Sequence, residues 1–201
     1  MSPKYSSVFD FKSFRFGHTP LKKASDAIKS IDVSSYALSL DGVTLSNPFS
    51  LTTDKWGNMY VADAGANRVF KINKRDSRIS VFAVIPPTKN PLPFGPPFMD
   101  SVPTKIISAG HNSFYLAQLT GFPFATGTAK IYKLDYKGRI TTFASGLTAV
   151  TDLVRDKKTG NLYALQFGSF GFSPFPGFAP GSATITKINS AGGFKHTIAE
   201  N

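Results

Sequence analysis

The sequence predicts an all-β protein built from repeated units of four antiparallel strands, and three observations support this. Short segments of alternating apolar and polar residues are separated by turns rich in Gly, Asn and Asp. Glycine (17) and proline (14) punctuate the 201 residues, and only 17% of them are charged, against ~25% in an ordinary soluble domain. The same pattern also recurs around Tyr60, Tyr115 and Tyr163. Such recurrence indicates an array of similar sheets.

Asn47–Asp63 is the clearest copy of the repeat. It predicts a first strand at Phe49–Thr53, a polar turn at Asp54–Asn58 and a second strand at Met59–Ala62. Third strands are predicted at 68–73, 130–135 and 184–189, and fourth strands at 79–84, 140–144 and 195–199. Four antiparallel strands in a roughly 50-residue repeat are typical of a β-propeller blade. We therefore predict three blades, at about 47–86, 102–147 and 149–201, within one domain at 47–201.

Residues 1–46 do not follow the repeat and are predicted to form an N-terminal extension. Alternating phenylalanines predict one or two short strands at Phe9–Phe16. Thr19-Pro20 and apolar residues at helical spacing predict a short amphipathic helix over about Pro20–Ile31. The Asp41-Gly42 turn predicts a small hairpin between Tyr36 and Leu45.

Charge and composition exclude several classes of function. The net charge is +11 and the pI about 9.9, but the basic residues are scattered. A solvated basic surface is therefore favoured over a specific nucleic-acid site, while attraction to acidic polysaccharide or lipid headgroups stays open. The absence of cysteine excludes disulfides, thiolate metal sites and a Cys nucleophile. Neither a signal peptide nor an apolar run of ~18 residues is found, so we expect a soluble chain without a membrane span.

Four segments of the repeat also carry a family resemblance. They are YVADAGANRVFKIN (60–73), LTGFPFATGTAKIYKL (119–134), GLTAVTDLV (146–154) and GNLYAL (160–165). Over about Leu45–Ala199 the chain resembles the ScyD/ScyE proteins, which are propellers associated with cyanobacterial scytonemin pigment clusters. It resembles NHL and gluconolactonase-like propellers more loosely. The resemblance implies a ring of six or seven blades, extracellular or periplasmic export and no established chemistry. Residues 1–44 do not match, and only three blades are counted.

Three blades cannot close a ring, because propellers close with about four to eight. Three solutions are open. A second copy or another partner completes the ring, the N-terminal extension covers the open side, or the chain is part of a longer propeller. We expect association with a copy or a partner.

Strand order places three long loops at one end of the blades. These are residues 86–101, 119–128 and 167–182, and they are rich in Phe, Pro and Gly. Aromatic rings on stiff loops cost little entropy to order, so they suit binding of a protein, a glycan or a small aromatic ligand. Packing of the rings over strand ends, and a flexible segment at 167–182, are the alternatives. The predicted binding residues are Phe94, Phe98, Phe122, Phe124, Phe170, Phe172, Phe175 and Phe178, with Gln118 and Gln166 at the ends of second strands.

Two acids and an amide lie near the predicted axis of the propeller. Asp63, Asp152 and Asn47 offer the oxygen ligands that Ca²⁺ prefers, and gluconolactonase-like propellers use a comparable set. The alternative role for Asp63 is structural, as an acceptor for the amides of residues 64–67. His18, His111 and His196 fall outside these positions, so a Ser-His-Asp arrangement has no support. We expect a non-enzymatic binding module without a cofactor, and the alternative is a metal-dependent, lactonase-like hydrolase.

Overall fold

The computed structural model describes residues 30–172, 176–193 and 195–200. The strands predicted at Phe9–Phe16 lie outside these ranges, as does the helix predicted at Pro20–Ile31 except for its last two residues.

The described residues form three four-stranded antiparallel sheets, each with its strands in chain order. The first sheet contains β1 (Pro48–Thr53), β2 (Met59–Asp63), β3 (Arg68–Ile72) and β4 (Ile79–Val84). A short ribbon follows, formed by β5 (Thr88–Lys89) and β6 (Phe98–Met99). The second sheet contains β7 (Pro103–Gly110), β8 (Ser113–Gln118), β9 (Ala129–Leu134) and β10 (Ile140–Leu147).

The third sheet encloses a second ribbon. Its strands are β11 (Val150–Arg155), β12 (Leu162–Gln166), β15 (Thr184–Ile188) and β16 (Lys195–Glu200). The ribbon consists of β13 (Phe170–Gly171) and β14 (Gly177–Phe178), in the loop between β12 and β15. The all-β fold of repeated four-stranded sheets is confirmed, and the three described sheets do not close into a ring.

Apolar side chains of neighbouring sheets meet in two separate cores. Between the first and second sheets, Tyr60, Phe114 and Leu116 are buried together. Between the second and third sheets, Ile131, Leu153 and Leu162 are buried together. Strands β1, β7 and β11 lie side by side along the inner edge of the three sheets. This edge is where a propeller has its axis.

The hairpin predicted between Tyr36 and Leu45 is wrong, because this segment begins with helix α1 (Val33–Leu38). Asp32 caps the helix, accepting hydrogen bonds from the Ser35 amide (2.9 Å) and the Ser35 hydroxyl (2.6 Å). Val33 and Ala37, four positions apart, pack on the outer face of the first sheet. The hairpin was predicted from the Asp41-Gly42 turn, but the Asp32 cap and this packing favour a helix before that turn.

Tight turns join the strands at the end of the sheets opposite to the long loops. Asp54 and Asp135 form the same turn, in which one carboxylate oxygen accepts two backbone amides further along the chain. The turn glycines Gly57 and Gly138 have φ values of +84° and +79°, in the left-handed region that glycine tolerates best. We call this the turn end of the molecule and the other the loop end.

Candidate functional site

Phenylalanine rings at the loop end form one continuous cluster. Neighbouring rings meet edge to face or tilted, with centroids 4.4–6.3 Å apart, which is the favoured geometry for aromatic pairs. The members, here called the aromatic cluster, are Phe94, Phe122, Phe124, Phe167, Phe170, Phe172 and Phe178.

Rings from three different loops depend on one another within this cluster. Phe172 contacts Phe94 at 5.2 Å and Phe122 at 5.9 Å between centroids. Phe124 contacts Phe170 at 4.8 Å and Phe178 at 5.8 Å. The third loop therefore holds the first two in place, and the rings are arranged before any partner arrives.

Hydrogen bonds hold the backbone beneath these rings. The buried Asn90 side chain donates to the carbonyls of Phe94 (2.7 Å) and Pro96 (2.9 Å). The Gly121 amide donates to the Asp100 carbonyl at 2.8 Å, and a Cβ at Gly121 would lie 3.1 Å from the Asp100 Cβ. The first two loops thus approach closely where Gly121 has no side chain.

The aromatic cluster is only partly buried. Phe94, Phe122, Phe167 and Phe172 remain 40–51% exposed, whereas Phe124, Phe170 and Phe178 are half-buried. Phe98 is exposed on β6, and no ring pair is formed there among the described residues. Phe175 lies outside the described residues. An exposed group of large apolar side chains marks a candidate interface, and the assignment of these rings to binding stays a prediction.

Gln118 and Gln166 are buried at the ends of the second strands, where each connects its sheet to a loop. Gln118 donates to the Thr88 hydroxyl at 2.8 Å. The Tyr132 hydroxyl donates to Gln118 Oε1 at 3.4 Å, and burial raises the pKa of Tyr132. Gln166 accepts from the Thr148 amide at 2.6 Å and donates to two threonine hydroxyls. Both glutamines position loops, and direct ligand contact by either stays a prediction.

Asp63 occupies the same position in the first sheet and has no accessible surface. Its Oδ1 accepts from the amides of Asn47 (2.7 Å), Gly65 (3.1 Å) and Ala66 (2.9 Å). Its Oδ2 accepts from the Ser46 hydroxyl at 2.6 Å. Both carboxylate oxygens therefore already have hydrogen-bond donors, which is the arrangement expected if Asp63 has a structural role.

The inner strands share a β-bulge one residue after they begin. The pairing of each with its second strand shifts at Phe49, Thr104 and Thr151. Bulges redirect side chains and are frequent beside functional sites. Here they border a groove of about 320 Å³, which we call the axial groove. Its lining residues are Phe49, Ser50, Thr104, Lys105, Thr151 and Asp152.

An ion pair crosses the axial groove. Lys105 Nζ lies 2.9 Å from Asp152 Oδ1, and both side chains are about one-third to one-half exposed. Asp152 thus lines the axial groove, whereas Asp63 is enclosed in its own loop. Among the described residues, no group of three or more His, Asp or Glu side chains is placed to hold a metal ion. Calcium binding by Asn47, Asp63 and Asp152 stays a prediction.

Lys105 and Ser50 were missed by sequence reasoning. Their positions follow the first residues of the predicted inner strands, but the bulges that turn them toward the groove leave no local pattern in the sequence. These positions could have been found only by aligning the beginnings of the three inner strands and allowing one extra residue for a bulge in each.

Comparisons with known proteins support the fold and do not identify a family. No family model matches the sequence, and no curated protein matches it. Among solved structures, the chain resembles one from a nidogen/laminin complex, with a TM-score of 0.52, 13% identity and coverage of 78% of this chain and 49% of that chain. A streptogramin B lyase gives a TM-score of 0.49 at 17% identity, covering 78% of this chain and 41% of that chain. The fold is that of a β-propeller.

The length of the match is also informative. An auxiliary nutrient binding protein from Bacteroides thetaiotaomicron gives a TM-score of 0.49 at 11% identity, covering 80% of this chain and 35% of that one. The chain therefore spans half or less of the length of these three propellers. In the described part of the chain, no helix is long and apolar enough to cross a membrane.

Proposed function

We propose that this chain is a non-enzymatic binding propeller of ScyD/ScyE type, which binds a protein partner through the aromatic cluster. The resemblance in residues 60–73, 119–134, 146–154 and 160–165 supports the family. The observation that carries the binding proposal is that rings from three loops pack together and still remain exposed. The cores of protein interfaces are enriched in such aromatic side chains.

The spread of the aromatic cluster over three loops favours a protein over a small ligand. Its rings extend from Phe94 on the first loop to Phe178 on the third, through Phe172 and Phe170. A surface drawn from three loops suits a partner that covers many side chains at once. Preorganised rings also lose little conformational entropy when they bind.

A crosslinking experiment followed by affinity measurements tests this proposal. A photoreactive phenylalanine at position 172 should capture a protein that the same group at Tyr136, exposed at the turn end, does not. With that protein purified, Phe122→Ser/Phe172→Ser should weaken binding by about tenfold or more, whereas Tyr136→Ser should leave it unchanged. Equal affinities for the wild type and the double variant would refute the proposal.

The third sheet offers a second surface for a partner. Val154 and Leu165 are exposed on the face that points away from the second sheet. The outer face of the first sheet is instead covered by Ile31, Val33 and Ala37. These belong to residues 31–38, here called the α1 segment. We propose that a further sheet packs on Val154 and Leu165 and continues the propeller from the third sheet.

This asymmetry constrains ring closure by two copies of the chain. In a head-to-tail ring, the third sheet of each copy would pack on the first sheet of the other. The α1 segment would then have to leave the first sheet and expose the side chains it now buries. A partner that packs only on the third sheet meets no such obstacle, whereas every closed ring, including one with further sheets on the same polypeptide, needs the outer face of the first sheet.

Absolute mass in solution separates these possibilities. We expect the wild type at 21.7 kDa, and we expect Val33→Asp, which puts a charge under α1, to associate where the wild type does not. A Leu38→Asp control changes an exposed residue of the same helix. A stable dimer of the wild type, undiminished on dilution, would refute the constraint and support closure by two copies.

A metal-dependent, lactonase-like hydrolase is the second candidate, and the position of Asp152 in the axial groove favours it. Calorimetric titration with CaCl₂ tests it. Heat of binding that disappears in Asp152→Ala would favour the hydrolase, and its absence in the wild type would remove calcium from consideration.

A further inference from the structure

The turn end of the first sheet contains a cavity that the proposed function does not use. It has a volume of about 530 Å³, within the ~300–1,000 Å³ typical of small-ligand sites. We call it the Trp56 pocket, and it is lined by Trp56, Asn58, Asn73, Lys74 and Arg75. These residues belong to the two turns of the first sheet, between β1 and β2 and between β3 and β4.

Both turns are held in fixed positions. The Asp54 carboxylate accepts from the Trp56 and Asn58 amides, each at 2.9 Å. The Asn58 side chain then joins the two turns, because its Oδ1 accepts from the Lys74 amide at 3.1 Å. In the second turn, Asn73 Oδ1 accepts from the Arg75 amide at 2.8 Å. The pocket is therefore formed before a ligand binds.

The lining of the Trp56 pocket combines an exposed aromatic ring with two cations. The Trp56 side chain is 58% exposed, and Lys55 Nζ lies 4.7 Å from its ring centroid. Ion pairs among the described residues occur at Lys105–Asp152 and Asp135–Arg139, so Lys74 and Arg75 have no acidic partner within that part of the chain. The nearby Asp54 already accepts several hydrogen bonds, as shown above.

We propose that the Trp56 pocket binds an acidic carbohydrate, with a uronate ring against the Trp56 indole and its carboxylate at Lys74 and Arg75. A pyranose has an apolar face of C–H groups that can pack on an indole, and arginine holds a carboxylate through two parallel hydrogen bonds. The net charge of +11 adds a general attraction for a polyanion.

A single-stranded nucleic acid is less well matched to this pocket. Such ligands are bound by successive aromatic rings along a basic groove that follows the phosphates. The pocket lining provides one ring and two cations, which suits one or two acidic sugars.

The sequence provides a direct probe, because Trp56 is its only tryptophan. Titration with tetragalacturonate should give a saturable change in tryptophan fluorescence, while neutral cellotetraose and the oligonucleotide dT8 should not. Lys74→Gln/Arg75→Gln should weaken tetragalacturonate binding about ten- to hundredfold, since two charge-assisted contacts are lost. The matched control Lys157→Gln/Lys158→Gln removes the same charge from exposed lysines at the turn end of the third sheet and should leave binding unchanged.

Each contrary result overturns a defined part of the proposal. Equal weakening by both double variants would mean that tetragalacturonate responds only to total charge. Equal binding of cellotetraose would remove the role of the carboxylate, and saturable binding of dT8 without tetragalacturonate would replace the sugar by a nucleic acid. Calorimetry on Trp56→Ala provides a readout independent of fluorescence, and unchanged affinity there would exclude the indole. Circular dichroism checks that every variant is folded.

Discussion

Removal of the Asp63 carboxylate is expected to destabilise the protein strongly. The side chain is fully buried and accepts four hydrogen bonds at 2.6–3.1 Å. Asp63→Ala would leave these four donors without their acceptor. A buried donor without a partner costs ~1–3 kcal/mol, and part of this set can regain water. We therefore expect the free energy of unfolding to fall by about 3–4 kcal/mol.

Asp63→Asn distinguishes a structural acceptor from a metal ligand. The Asn side chain has the same shape, and its Oδ1 can accept from the Asn47, Gly65 and Ala66 amides as before. Its Nδ2 can donate to the Ser46 hydroxyl oxygen, which reverses the direction of that bond. The expected loss is about 1 kcal/mol, because the geometry is retained and the charge-assisted part is lost.

Urea unfolding followed by circular dichroism, with and without CaCl₂, measures both effects. The structural role predicts a large loss in Asp63→Ala, a small loss in Asp63→Asn and the same midpoints in either solution. A loss below about 1 kcal/mol in Asp63→Ala would refute the hydrogen-bond reasoning. Stabilisation of the wild type by calcium that Asp63→Asn abolishes would instead show that Asp63 is a metal ligand.

Three further predictions concern the cores, the connections between sheets and pH. Phe114→Ala should lower the free energy of unfolding by about 3–5 kcal/mol, because Phe114 is buried against Tyr60 and Phe82; the exposed Phe122→Ala should change it by about 1 kcal/mol or less. Asn67→Ala should cost about 2 kcal/mol, since it removes side-chain bonds to the Val102 amide and Asp100. Ser77→Ala, with a similar positive φ, is its control in the same urea assay. Burial and the neighbouring Asp54 raise the pKa of Tyr60 above its ordinary value of 10.0, so the folded state keeps a proton that the unfolded state releases. The contribution of Tyr60 to the free energy of unfolding should therefore be fully present below about pH 10 and be lost as the pH rises further. Tyr60→Phe should reduce the fall in the free energy of unfolding measured between pH 8 and 11.

Local sequence patterns were sufficient to predict the strands of the three sheets and the turns between them. The short apolar run Met59–Ala62, which is buried throughout, and the Asp-Gly-Asn chemistry of the turn at 54–58 report directly on backbone conformation. The same reasoning failed at Tyr36–Leu45. There the deciding interactions were the Asp32 cap and the packing of Val33 and Ala37 on a sheet that comes later in the chain.

The candidate sites were predictable only in outline. Strand order alone assigned the phenylalanines to one end of the sheets, but whether Phe124 and Phe172 contact rings from other loops depends on how those loops fold. From the sequence, Trp56 is only one residue of a predicted turn. Its pocket exists because Asn58 joins that turn to Lys74, on the turn between the third and fourth strands.

By itself, the sequence determined the repeat, the four-stranded sheets and the end of the molecule to which each loop belongs. These features follow from alternation, turn chemistry and spacing along a single chain. Only the tertiary structure decided that Asp63 is enclosed, that Lys105 meets Asp152 across a groove, and that α1 covers one outer sheet face while the other is exposed. Such contacts join distant residues, so they depend on packing and carry no local pattern from which they can be predicted.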